Sequence, residues 1–209
     1  MPIIAKNTGS KRELIPSGTH IARCYQMIEI GTVTENILGK EKVLTKVRIG
    51  WELPEERRVF KDEMGEQAFV ISKEFTLSMH EKSTLRKYLE SWRGKGFSED
   101  EAKGFDITKL LGVPCMLNII HKQSKDGLNT YEEISAIMPV PKSMQCPAQE
   151  NKTFILSYDN FDYNLFEKLP DFIKDKMKSS TEFASLQQPN HVDMKNGQAE
   201  PELVDDLPF

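Results

Sequence analysis

Three cations alternate along residues 42–53. Lys42, Lys46 and Arg48 share one parity, and Val43, Val47, Ile49, Trp51 and Leu53 share the other. A strand here carries a basic outer row behind an apolar inner face. In the stretch 19–30, Arg23 and Tyr25 share a parity opposite Ala22, Cys24, Ile28 and Ile30. Cations spaced this way neutralise an extended polyanion, and a tyrosine among them offers a flat ring for stacking. A solvated strand face and a tyrosine closing one end of a core account for the same residues about equally well. Phe60, within Arg57-Arg58-Val59-Phe60-Lys61, is a better candidate for stacking from a loop. Lys73 lies among apolar neighbours and is expected to flank a groove. Trp51 is expected in the core, and Tyr88 and Trp92 are expected to pack a helix down.

A second chemistry stands at Asp205-Asp206-Leu207-Pro208-Phe209. Phe209 offers a ring to an apolar pocket, and its α-carboxylate offers acceptors to a base beside that pocket. Pro208 fixes the backbone approach, and the two Asp residues favour a basic rim. A tethered peptide ligand for a protein partner is expected here.

Charge is unevenly spread. The chain has 28 Lys and Arg against 32 Asp and Glu, a formal −4. The tail from Gln187 holds five acids and one base, so the body is balanced. Residues 1–50 hold eight bases against four acids. A basic front and an acidic tail suit an anionic ligand held on one face. Enzyme motifs do not emerge. His20, His80, His121 and His191 lack metal-ligand spacing. Pro114-Cys115 is followed by Asn118 where a zinc deaminase has its second Cys. There is no phosphate loop and no nucleophile elbow. No catalytic residue, cofactor or metal is expected, although scattered acids leave a metal-dependent nuclease as an alternative. Cys24, Cys115 and Cys146 lie far apart, as in a reducing compartment. No apolar run is long enough to span a bilayer, and residues 1–10 lack a signal-peptide core, so no membrane association is expected.

Strands are predicted over 19–30, 42–53, 68–79, 114–122 and 130–138, with a turn at Asn36 to Gly39 and a charged loop or excursion over 54–67. On the third strand Phe69, Ile71, Phe75, Leu77 and Met79 share a parity. A helix follows it: Ser83 or Thr84 caps it, Leu85, Tyr88, Leu89 and Trp92 form its stripe, and Gly94 ends it. Ser98 with Glu101 reads as a capping box, and Asp106 caps a short helix stopped by Gly112. Beyond Pro139, Asp162 caps one short helix and Pro170 opens another carrying Phe172, Ile173 and Met177. This segment is expected to pack on the sheet or on a second copy. From about Ser179 or Gln187 the composition favours disorder.

Strand, strand, strand, helix, strand, strand is the order of an OB-fold, a five-stranded Greek-key barrel that binds oligonucleotides or oligosaccharides. The ending resembles the acidic tip of bacterial single-stranded DNA-binding proteins, typically Asp-Asp-Asp-Ile-Pro-Phe, with Val204 and Leu207 departing from it. Residues 69–94 and 104–115 also resemble small bacteriophage proteins regarded as single-stranded DNA-binding proteins, within a likeness over about 15–145 and a further one over 160–186. The resemblance implies a mainly β fold with helical additions, in four parts. These are a polar N-terminal arm (1–16), an OB-fold domain (17–145), a helical extension (146–186) and a disordered acidic tail (187–209). It implies sequence-tolerant coating of single-stranded DNA during replication, repair or recombination in the cytoplasm of a bacterial host. Partners would dock on Asp205, Asp206, Leu207, Pro208 and Phe209, and a homo-oligomer is compatible. The alternatives are a recombination mediator or annealing protein, a nuclease, and an interaction adaptor without DNA affinity.

Overall fold

The computed structural model describes residues 13–60, 63 and 65–187. The tip Asp205–Phe209 and most of the expected arm and tail lie outside the described residues. The fold is mainly β. Strands β1 (Gly18–Ile37), β2 (Lys40–Val59) and β3 (Glu66–Thr76) precede helices α1 (Thr84–Arg93) and α2 (Glu99–Lys103) and a 3-10 turn, Ile107–Leu110. Strands β4 (Pro114–Gln123), β5 (Thr130–Met138) and β6 (Phe154–Leu156) follow, then helices α3 (Tyr163–Glu167), α4 (Asp171–Lys178) and α5 (Thr181–Gln187).

The sheet order is β3-β2-β1-β4-β5, with antiparallel neighbours, and β6 runs parallel beside β1 at Gln26 to Ile28. Irregularities at Cys24/Gln26 and Glu29/Gly31 break the register of β1 against β2. Such bulges bend a strand and increase its twist. The same edge of β1 thus serves β4 over Gly18–Arg23 and β6 further on.

The sheet is not closed. Between β3 and β5 side chains bridge the seam: Lys73 Nζ and Tyr88 Oη donate to the Ile134 carbonyl at 2.7 and 2.9 Å, and Ser91 Oγ donates to that of Ile137. Lys73, expected beside a groove, is therefore spent on this seam, where it also meets Glu133 at 3.6 Å.

Two apolar cores flank β1. The inner one gathers Ala22, Cys24 and Met27 with Val47, Ile49, Trp51 and Leu53 of β2, and with Leu85, Leu89 and Trp92 of α1. Helix α1 forms as its stripe predicts: Ser83 Oγ accepts from Arg86 N–H at 3.2 Å, and Gly94 ends it at φ 67°. The capping box at Ser98 and Glu101 is also formed. Trp51 and Trp92 meet at 5.9 Å between ring centroids. The outer core joins Ile28, Ile30 and Val33 to Leu156, Phe166, Leu169, Ile173, Met177 and Phe183. The C-terminal helices thus dock on their own chain's sheet.

Several expectations change. The charged stretch over 54–67 is largely strand: β2 runs on to Val59 and pairs Arg57 with Ala68 and Val59 with Glu66, past an irregularity after Leu53 that accommodates Pro54. Charge there marks a solvated hairpin, not a loop. Helix α5 continues through Gln187 because Phe183 is buried in the outer core. Val43 is 69% exposed, since the β1–β2 hairpin runs past its pairing with β3 and no described residue covers that face. Ile15 is buried, and its N–H and carbonyl meet Glu132 and His121 at 3.2 and 2.8 Å.

Candidate nucleic-acid interface

The basic row of β2 emerges beneath α4. Strand parity turns Lys46 and Arg48 outward, and the outer core presses α4 against that same face. Lys46 pairs with Glu35 at 2.7 Å. Lys176 of α4 then bridges Glu35 and Glu74 at 2.7 and 2.6 Å, and Arg48 meets Glu74 at 3.4 Å. Three bases and two acids thus alternate across the β1–β2–β3 face. Hydrogen bonds from Lys176 and Lys46 hold the Glu35 carboxyl below its ordinary range. Burial disfavours the Lys176 ammonium, yet its bonds to Glu35 and Glu74 outweigh that and raise its pKa. Lys42 stays exposed on the projecting hairpin.

Arg23 plays a different part. It donates to the carbonyls of Gly112, Cys146 and Pro147 at 2.6, 3.2 and 2.8 Å. Close by, the fully buried Glu52 carboxylate accepts from the N–H groups of Glu150 and Asn151 at 3.0 and 2.9 Å, and from the Asn151 side chain. Together these two side chains lash the segment 146–151 against the sheet. Most of the Arg23 guanidinium is consequently engaged with the backbone.

Tyr25 lies where β1 is irregular, and burial pushes its phenol pKa up. It stands between two clefts of about 470 and 190 Å³ that share Tyr25 and Val70. Phe60 lines the larger and Phe172 the smaller. Both rings are open to solvent, at 47% and 62% exposure. Each carries a guanidinium: Arg58 lies 5.6 Å from the Phe60 centroid and Arg48 lies 5.4 Å from that of Phe172. Phe60 is steadied edge-on by Phe69 at 5.3 Å. Arg57 joins Glu150 and the Glu66 carbonyl at the far rim, and Arg58 also meets Glu13 at 3.2 Å.

The structure therefore brings Tyr25, Arg48, Arg57, Arg58 and Phe60 around one surface and places Lys42, Lys46, Arg23 and Lys73 elsewhere. Phe172 was missed as a site residue, although its signal is in the sequence. Ile173 and Met177 are four apart and share a helix face, while Phe172 is one residue off it and faces outward. Chemically, the surface offers flat apolar faces backed by fixed cations, in an open trough lacking a cluster of His, Cys, Asp or Glu able to hold a metal among the described residues. No family model, curated protein or solved structure matches this chain.

Proposed function

We propose that this chain binds single-stranded DNA through the Phe60–Tyr25–Phe172 surface, protecting the strand and blocking re-pairing. One observation carries the reading: two exposed phenylalanines, each with an arginine over its ring, flank a tyrosine on one continuous surface. Bases unstacked from a duplex offer π-faces to such rings whatever their sequence, while guanidinium groups meet the phosphates. The fold supports the reading too. Cutting an OB-type barrel between its third and fifth strands leaves the order β3-β2-β1-β4-β5, with a helix between the third and fourth strands. We take the sheet as an open member of that class.

Titration with oligothymidine, duplex and RNA at several salt concentrations tests this. Single-stranded DNA is expected to bind best. Arg48→Gln and Arg58→Gln should each flatten the log–log salt slope by about 0.7 for every phosphate no longer neutralised. Equal affinity for duplex, or an unchanged slope in both variants, overturns the assignment of this surface.

The acidic tip Asp205–Phe209 is proposed to recruit a replication, repair or recombination protein. Deleting these residues is expected to leave oligothymidine affinity unchanged or slightly raised, because a tethered acidic segment competes for cationic ground. Pull-downs from host lysate should lose a partner at the same time. Identical partner sets with and without the tip would reject this role.

A further inference from the structure

The β1–β2 hairpin ends in an anomaly. Leu38 is 98% exposed and sits at φ 53°, in the left-handed region that leucine disfavours. Its neighbour Gly39 also has positive φ, and Asn36 Oδ1 accepts from the Gly39 N–H at 2.9 Å. A turn of this kind is served better by Asn or Gly. Leucine adds strain and a fully hydrated side chain, and does nothing for the hairpin itself. Ile37 and Val43 are exposed beside it, and Lys40 and Lys42 make no ion pair among the described residues.

About midway along the same strands lies a cleft of about 720 Å³. Met27, Val47, Leu77 and Ile155 give it apolar walls, and Leu77 and Ile155 are among the large exposed hydrophobic side chains. Glu29, Asp106 and Asp159 line it against His80 and Lys103, and Lys103 is already paired with Asp100 at 2.7 Å. The tip is apolar, with Lys40 and Lys42 sharing one parity and the exposed Glu41 on the other, and the cleft is apolar with an acidic rim. A chain cannot fill its own cleft with its own tip. Leu38 and Val47 are nine residues apart along a paired ribbon, or about 30 Å.

We propose that the Leu38 tip of one copy seats in this cleft of the next. The contact is proposed as heterologous, each tip in the cleft of the next copy and not exchanged reciprocally between two, so it propagates as an open chain unless its rotation closes a ring. On the proposed single-strand reading, on which only this consequence rests, neighbours along a strand would bind cooperatively.

Sedimentation of the full chain, with and without DNA, tests the contact using two variants. Leu38→Asn suits the left-handed turn, so its melting temperature should rise while self-association is lost. Leu77→Asp places a charge in the cleft, and circular dichroism checks that it folds. Wild type should form a concentration-dependent series of species, and each variant alone should remain monomeric. An equimolar mixture of the two variants should give dimers and nothing longer, because one intact tip meets one intact cleft and propagation stops. On long oligothymidine, wild type should saturate sigmoidally and each variant hyperbolically. A mixture that stays monomeric overturns the proposal. So does association that survives Leu77→Asp but not Leu38→Asn, which would leave the cleft to the chain's own tail or to another protein. Weakened binding of Leu38→Asn to an oligonucleotide long enough for one copy also overturns it, by making the tip a DNA contact. Should wild type bind no strand at all, the function falls, and sedimentation without DNA still decides the contact.

Discussion

Phe172→Ala is expected to weaken oligothymidine binding by roughly 5- to 150-fold, matching the loss of one base–aromatic stack worth about 1–3 kcal/mol. The ring is 62% exposed and belongs to no core, so its removal should leave the melting temperature almost unchanged. That separation makes the test clean. Tyr25 is half-buried, and its truncation would mix folding with binding. Tyr25→Phe keeps the ring and should keep the affinity, which distinguishes stacking from hydrogen bonding by the phenol. Phe60→Ala should resemble Phe172→Ala, with a small added loss from its edge-on packing against Phe69. Unaltered affinity in Phe60→Ala and Phe172→Ala, measured by fluorescence anisotropy, would reject this surface as the strand's path.

The second large effect is expected at Gly31, where the C-terminal helices meet the sheet. Gly31 has φ 90°, and a β-carbon there would lie 2.7 Å from Glu182 Oε2 and 2.8 Å from Ser180 Cβ. Gly31→Ala thus combines backbone strain, roughly 1–3 kcal/mol, with overpacking of similar size, roughly 1–3 kcal/mol. The melting temperature should fall by on the order of 10 °C. Amide exchange should quicken across α4 and α5 and spare α1, which packs in the other core. Phe172 would leave its place with α4, so strand affinity should drop as well. An undisturbed melting curve would mean that α5 does not dock at this joint.

The same joint is sensitive to acid. Burial disfavours the Glu182 carboxylate, but hydrogen bonds from Thr32 N–H and Oγ1 at 2.6 and 2.7 Å outweigh this and lower its pKa. Glu35 is lowered as well, by Lys176 and Lys46. A carboxyl with a depressed folded pKa contributes stability above its ordinary value, near 4.5, and loses it as pH falls through the folded value. The helices should therefore loosen below about pH 4.5, before the inner core melts. Glu182→Gln should remove much of that pH dependence, as read by exchange of the α5 amides.

Much of the architecture was legible because it depends on neighbours in sequence. Period-2 alternation, the Ser83 cap, the Gly94 stop and the Ser98–Glu101 box are local features, and each formed where its residues stand. The continuation of β2 through Pro54 to Val59 was hidden because pairing with β3, and not composition, makes it a strand. The stripe of α4 was readable, whereas the sheet it covers was not.

By itself, the sequence determined the order of the first five strands and of α1, α3 and α4, the inward set around Trp51 and the outward direction of Lys46, Arg48 and Tyr25, but neither β6 nor α5. These follow from backbone periodicity, which needs no partner. Only the tertiary structure decided what the outward residues meet. Glu35 and Glu74 reach Lys46 and Arg48 from β1 and β3, Lys176 of α4 bridges those two acids, three carbonyls engage Arg23, and the open seam engages Lys73. Phe172 joined Tyr25 and Phe60 in the same way, across more than a hundred residues. Such groupings depend on how the strand register and the docked helices bring distant side chains together, and spacing along the chain does not carry that information.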